Sequence, residues 1–183
     1  VFLFCGCAKN PQKVQEPEKK GFTFVDDLER EVTVDHPKRV ACLIGSFSDI
    51  WCLAGGADSI VAATNATWTY FDLPLKKDVV NLGAAKKLRI EQLIACEPDF
   101  VLASCGTDRN LELETTFEKA GLNAAYFSVD NFEDYLRVLE ICTKITGAEE
   151  NYKCYGTDVK EQIDKERQRA DGSKPRVLYV RAT

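Results

Sequence analysis

The most reactive side chains in this chain belong to eight cysteines and a single histidine. Cys105, in the loop Ser104-Cys-Gly-Thr107 that closes an apolar run, is the thiol placed where a nucleophile would stand. A thiol is activated by a neighbouring base or positive charge, and nothing basic is visibly paired with it. His36 precedes Pro37 at a strand edge and reads as a surface residue. The sequence holds no P-loop, no G-x-G-x-x-G turn, no G-x-S-x-G elbow and no cluster of metal ligands. These features argue against an enzyme. Binding chemistry gathers after the apolar runs instead. Ser46 and Ser48 stand at a predicted helix start, where hydroxyls and backbone N–H groups can meet a ligand. Trp68, Tyr70, Phe71 and Pro74 crowd the polar stretch from Asn65 to Lys77, which suits either a ligand wall or a loop packed on its own side chains.

Those residues need a scaffold, and the apolar periodicity supplies one. Val40 to Ile44 and Ile60 to Ala63 read as strands buried on two faces. Between them Phe47, Ile50, Trp51 and Ala54 share one helix face, and Gly55-Gly56 stops that helix. The unit repeats along the chain. Val79-Val80, Phe100 to Ala103 and Ala124 to Phe127 are further strands. One short helix follows Ile90, Leu93 and Ile94 and ends at Pro98, and another follows Leu113, Thr116, Phe117 and Ala120 and ends at Gly121. Upstream, Phe22 to Val25 and Glu31 to Val34 alternate as a hairpin. Asn131 caps a helix with apolar face Phe132, Tyr135, Leu136, Leu139, Cys142, Thr143 and Thr146, ended by Gly147. From Glu149 to Ala170 a largely solvated helix carries a thin stripe of Tyr152, Tyr155, Val159 and Ile163. Arg176 to Val180 then begins a new strand. The expected fold class is α/β: an N-terminal lobe over 22–147 with a mostly parallel, Rossmann-like sheet flanked by helices, a long linking helix over 148–172, and over 173–183 the first strand of a truncated second lobe.

Composition sets the class of partner. A net charge of −5 without a basic patch gives no reason to expect nucleic acid. Cys42, Cys52, Cys96 and Cys142 sit in apolar runs, where a thiol serves as a small hydrophobe, so mostly free thiols are expected rather than a disulfide framework. The start Val1-Phe-Leu-Phe4, followed by Cys5-Gly-Cys7, resembles the end of a signal peptide running into a bacterial lipobox, with Cys7 as the lipidated residue of segment 1–7. Residues 8–21, with two prolines and no apolar period, read as a flexible tether between that anchor and the domain.

Two segments carry a more specific likeness. The run FTFVDDLEREVTVDHPKRVACL and the segment Ile90-Glu-Gln-Leu-Ile-Ala-Cys-Glu-Pro98-Asp99-Phe-Val resemble the N-terminal lobe of periplasmic-type solute-binding proteins of ABC importers for iron-siderophore, haem and cobalamin. The likeness runs from about Phe22 to Val180. It implies two α/β lobes joined by one long helix, a ligand in the interlobe cleft, and a monomer held at the outer face of the cytoplasmic membrane through its lipid anchor. It also implies docking to an ABC permease with its ATPase, and no cofactor or metal of the protein's own. Residue by residue, Glu91 matches the permease-docking glutamate. Tyr70 matches a cleft aromatic of cobalamin-type members, and Ser46 and the Gly83 to Lys87 loop match cleft-lining loops. With Trp68 and Thr107 these form the expected ligand-binding set. The cobalamin-type tryptophan is replaced here by Ala84, Ala85, Lys86 and Lys87. Those lysines and Arg109 suit an anionic ferric chelate of the siderophore kind. Cobalamin, or haem with a tyrosine ligand, remains the alternative. A Cys105-dependent enzyme on the same type of domain is the rival from another class.

Overall fold

The structure is a computed structural model and describes residues 21–169, 171–174, 176 and 178–180. The expected lipobox with Cys7 and nearly all of the tether lie outside these residues. The chain opens with an antiparallel hairpin, β1 (Phe22–Val25) and β2 (Glu31–Val34). Five strands then form one parallel sheet: β3 (Val40–Cys42), β4 (Ile60–Ala63), β5 (Val80–Asn81), β6 (Phe100–Ser104) and β7 (Ala124–Phe127). Their spatial order is β5-β4-β3-β6-β7. The chain therefore builds outward from β3 on one side, returns, and builds outward from β3 on the other.

The apolar runs make this arrangement possible, because a parallel sheet covered by helices is buried on both faces. One face stacks Val40, Cys42, Phe100, Leu102 and Phe127 against Phe47 and Trp51 of α1 (Gly45–Leu53) and Leu139 and Cys142 of α6 (Phe132–Thr146). The hairpin adds Phe24, Val32 and Val34 to that layer. The other face stacks Ala41, Val101, Ala103 and Tyr126 against Leu93 of α3 (Ile90–Ala95) and Phe117 of α5 (Glu114–Ala120). Alternate residues of each strand thus serve opposite layers.

Helix ends follow the cap chemistry of the sequence. Asn131 and Asp134 form a reciprocal capping box at the start of α6, and Gly147, in the left-handed region, ends it. Several expectations are corrected. The strand expected to reach Ile44 stops at Cys42. Asn65 to Lys77 is not all loop, since α2 (Ala66–Tyr70) forms there, and a further turn, α4 (Asp108–Leu111), precedes α5. Ile94 and Ala120, placed on apolar faces, are exposed, while Ile90, Leu93 and Phe117 carry the core contacts of those short helices. The long helix expected from Glu149 does form, and it contains one irregularity: α7 (Glu149–Tyr152) passes through a π turn (Lys153–Thr157) into α8 (Asp158–Gln168). At the buried Gly156 of that turn, a Cβ would stand 3.1 Å from the Tyr152 ring and 3.2 Å from Leu136. The helix widens where its backbone presses on α6. The strand expected over Arg176 to Val180 is not formed in the described residues, and Leu178, Tyr179 and Val180 are exposed, since no described strand lies beside them to pair.

The likeness-bearing segments meet in space. The Asp99 carboxylate accepts the N–H groups of Lys38 at 2.8 Å and Arg39 at 3.0 Å, just ahead of β3. Arg39 Nε in turn donates to the carbonyls of Cys96 and Glu97 at the C-terminal end of α3. A cation there satisfies otherwise orphaned carbonyls.

A second polar anchor fixes the hairpin. The side chain of Asp26 is fully buried, and it accepts N–H groups of Leu28, Arg30 and Tyr126 at 3.0 to 3.1 Å together with the Arg30 guanidinium. Arg30 also donates to the Ala124 carbonyl and to Glu114, and lies 4.8 Å from the centre of the Tyr126 ring. Burial pushes the Asp26 carboxyl up, but the hydrogen bonds from Arg30 and Tyr126 outweigh it and hold the group below its ordinary value. Breaking such a buried pair costs about 3–5 kcal/mol, so Asp26→Ala should lose stability of that order in urea unfolding. Because the folded value is depressed, the Asp26 contribution is complete above the unfolded carboxylate range near ~3.9 and is lost as pH falls through the lower folded value. Wild-type stability should therefore fall more steeply with acid than that of Asp26→Asn.

Candidate functional site

In an open parallel sheet, a crevice forms outside the carboxyl ends of the strands where the order reverses, here between β3 and β6. The segments after each strand meet this edge. After β3, Ile44 is extended and α1 begins at Gly45, with no side chain capping it. A Cβ on Gly45 would fall 2.9 Å from the Ala66 carbonyl carbon, so the start of α1 lies directly against α2. Ser46 is exposed on this first turn. Ser48, the other serine expected to face a ligand, is buried and bonded to Thr67 Oγ1 at 2.8 Å. It ties α1 to α2. On α2, Trp68 is 43% exposed and Tyr70 is 78% exposed, so neither is used up in the core.

After β5, a 3₁₀ turn carries Ala85, Lys86 and Lys87, and both lysines are exposed. Lys86, Thr107 and Arg109 line one depression of about 490 Å³ with Ala85, Gly106 and two acidic residues, Asp108 and Glu112. Lys87 does not line it. The Arg109 guanidinium meets the Glu112 carboxylate at 2.9 Å, which leaves Lys86 as the lining cation without an acidic partner among the described residues. Glu91 is exposed in the first turn of α3, which also starts from this edge. The structure thus brings Lys86, Thr107 and Arg109 together and sets Ser46, Trp68 and Tyr70 along the same edge, with no cavity shared by both groups among those described. Asp108 and Glu112 were not anticipated. Their signal is the i, i+3 spacing of Arg109 and Glu112, which has meaning only on a helical turn.

Two buried polar atoms at this edge have no hydrogen-bond partner among the described residues: Thr64 Oγ1, just past β4, and Asn110 Nδ2 in α4. Asn110 is otherwise engaged, its Oδ1 accepting the Ser104 N–H at 2.9 Å and its carbonyl accepting the Tyr126 hydroxyl. Among the described residues, no group of His, Cys, Asp or Glu is arranged to hold a metal ion, and no helix is long and apolar enough to cross a membrane.

Cys105 is half-buried. Burial pushes its thiol up, and the nearby Asp27 and Asp26 carboxylates push it further, against the smaller opposing pull of Arg30 and Arg137. These surroundings keep the thiol protonated, the reverse of nucleophile activation. His36 offers no base, since it borders a different pocket beside Gly55, Gly56 and Thr146.

An open, doubly wound sheet with polar and aromatic loops at one edge defines an α/β ligand-binding lobe. The chain belongs to the periplasmic binding protein family, whose sequence profile matches residues 40–183. No curated protein sequence matches it. Its fold is similar to that of the petrobactin-binding protein YclQ from Bacillus subtilis, with a TM-score of 0.65 and 18% identity over 82% of this chain and 53% of that one. It is similar to the iron uptake ABC transporter substrate-binding protein PiuA from Streptococcus pneumoniae (TM-score 0.68, 20% identity, 85% of this chain and 56% of that one). It is also similar to the periplasmic vitamin B12 binding protein BtuF of Vibrio cholerae (TM-score 0.65, 16% identity, 76% and 53%). The chain spans about half the length of these structures. That family is described as one of periplasmic binding proteins.

The thiols give a direct test of the site's chemistry. Burial raises Cys142 to about 12 and Cys52 to about 11 and drives Cys42 higher still, whereas Cys154 is exposed. Among the cysteines of the described residues, iodoacetamide at pH 8 should label Cys154 first, Cys105 more slowly than an unfolded-chain thiol, and Cys42 and Cys142 only on unfolding. Mass spectrometry of timed digests reads the order. Fastest labelling at Cys105 would restore the enzyme reading.

Proposed function

We propose that this chain is the first lobe of the substrate-binding lipoprotein of an ABC importer, which captures a ferric, siderophore-like chelate in an interlobe cleft and delivers it to the permease. The observation that carries the reading is the match of residues 40–183 to the periplasmic binding protein family on a sheet whose carboxyl edge presents Lys86, Trp68 and Tyr70. Solved structures of similar fold include the petrobactin-binding protein YclQ, the iron uptake substrate-binding protein PiuA, and the siderophore-binding protein BauB bound to acinetobactin and ferric iron. Lys86 supplies attraction for an anionic chelate, Trp68 and Tyr70 supply apolar walls, and Ser46 and Thr107 supply hydrogen bonds. Lys87 and Arg109 are weaker members of the set: Lys87 stands outside the depression and Arg109 is already paired. The exposed Tyr70 phenol favours a second reading, haem held by a tyrosine ligand.

A titration followed by tryptophan fluorescence separates these readings, because Trp51 is buried and Trp68 is the exposed reporter at the crevice. An anionic ferric siderophore should quench saturably. Lys86→Glu should weaken binding about tenfold or more, equivalent to ~1.4 kcal/mol, and Arg109→Ala should weaken it less. Haem binding that is lost in Tyr70→Phe while Lys86→Glu is silent would overturn the chelate assignment.

Anchoring and docking are parts of the same proposal. A diacylated Cys7 gives stable attachment at the outer face of the cytoplasmic membrane, where one chain would bind only marginally. Glu91, exposed at the crevice edge, pairs with an arginine of the permease, with its ATPase on the other side of the membrane. In cells, Cys7→Ala should release the protein into the medium. Glu91→Ala should remain on the membrane, bind chelate normally and lose uptake. Normal uptake with weakened binding would place Glu91 in the cleft instead.

A further inference from the structure

The amino edge of the sheet carries a separate concavity of about 380 Å³ that the import role does not use. His36, Lys38 and Lys76 line it, and Gly55 and Gly56 border it above Trp51. It lies at the end of the strands opposite the crevice.

Three observations describe a formed site. First, His36 adopts a φ of +40° although it is not glycine and stands directly before Pro37, a position biased to extended backbone. Such outliers persist only where the surroundings enforce them. Its Nδ1 meets the Asp35 carboxylate at 3.1 Å, and a Cβ on Gly147 would lie 3.9 Å from its Nε2, so the largely exposed ring lies near the end of α6. Second, the glycines are obligatory. A Cβ on Gly56 would fall 2.2 Å from Trp51 Nε1, and Gly55 has a φ of +85° with a Cβ position 2.9 Å from Ala148. Third, the charges are incompletely matched. Lys76 Nζ donates to the Asp58 carbonyl at 2.6 Å and stands 3.7 Å from its carboxylate, and Asp35 faces His36. Lys38 has no acidic partner for its ammonium among the described residues, since Asp99 takes only its backbone N–H.

The pocket also adjoins the place where the tether enters the domain. Gly21, just ahead of β1, lies against β2 so closely that a Cβ there would stand 2.7 Å from the Val34 carbonyl oxygen and 3.1 Å from Asp35 Cβ. His36 follows immediately in the chain.

We propose that this pocket binds a phosphate group, donated either by the headgroup of an anionic phospholipid or by a soluble phosphate compound. Lys38 supplies the uncompensated charge, and Lys76 can turn from Asp58 to a stronger acceptor. The His36 ring, when protonated, donates through Nε2 while Nδ1 stays on Asp35. Only the phospholipid source rests on the anchoring reading. Occupancy of the crevice by a chelate is independent of both sources.

The test uses the full chain carrying Cys7→Ser, so that acylation does not contribute. His36 is the sole histidine, and its imidazole proton resonances therefore report this pocket alone. Inorganic phosphate should shift them saturably where chloride at matched ionic strength does not. Lys38→Gln, which leaves the backbone bond to Asp99 in place, should weaken the response about tenfold, the effect of one charge-assisted hydrogen bond. Vesicles of phosphatidylglycerol in phosphatidylcholine, compared with phosphatidylcholine alone, form the second arm. A response to phosphatidylglycerol vesicles that exceeds the response to free phosphate assigns the headgroup, and the reverse assigns a soluble phosphate compound. Equal responses to phosphate and chloride with none to vesicles, or an unchanged response in Lys38→Gln, would overturn the site. Failure of chelate binding at Trp68 would leave this result untouched and count against the import reading alone.

Discussion

The structure depends on the burial of one short strand between two neighbours. β3 has only Val40, Ala41 and Cys42, all without exposure, and it pairs in parallel with β4 on one side and β6 on the other. A strand in that position must satisfy its backbone groups along both edges and fill a core layer on each face. The alternation does this economically: Val40 and Cys42 point into one layer and Ala41 into the other. The register with β6, Val40 opposite Phe100, is pinned from outside the strands by Asp99 on the Lys38 and Arg39 amides and by Arg39 on the Cys96 and Glu97 carbonyls just past α3. The polar residues of the two likeness-bearing segments therefore act as a clamp at the amino edge. They leave the carboxyl edge to the loops.

How much of this was legible follows from the kind of signal each element carries. The buried strands announce themselves as continuous apolar runs, and α1 and α6 as faces of the right period bounded by glycine or an asparagine cap. In these elements local chemistry and tertiary burial agree. α2 and α4 are single turns whose apolar residues, Trp68 and Leu111 among them, point partly to water. They exist because neighbours hold them, as Thr67 is held by Ser48 and Asn110 by Ser104 and Tyr126. No periodicity could have shown them. The π turn has the same character, since it is set by how closely Gly156 approaches Tyr152 and Leu136. The segment from Arg176 has the composition of a strand, but a strand is a pairing and composition supplies only one side of it.

The placement of the candidate residues was legible more than their charge pairing. The βαβ repeats make the strands parallel, so the loops holding Ser46, Trp68, Lys86 and Thr107 reach the same edge. Whether Lys86, Lys87 and Arg109 amount to a positive surface is another matter. Arg109 reads as free when its segment is taken as a loop, and as paired once α4 brings Glu112 one turn away. The error over charge is thus a consequence of the missed turn. Ser48 shows the opposite case: a hydroxyl at a helix start points to ligand binding only until the packing of α2 claims it.

The two unpartnered polar atoms give a final measure of how the molecule divides its stability. A buried donor or acceptor without a partner costs about 1–3 kcal/mol, and in most folds such atoms are few. Here Thr64 Oγ1 and Asn110 Nδ2 both lie just beyond the carboxyl ends of strands, one on each side of β3. The amino edge, by contrast, bonds the Asp99 carboxylate to two amides and the Arg39 guanidinium to two carbonyls. The amino-edge bonds fix the register, whereas at the crevice edge the bonds of Asn110 and Thr67 hold single helical turns in place. Pairing at one end of the sheet holds the strands in place while the loops at the other end are free of that duty. Sequence can change there without disturbing the sheet that carries it.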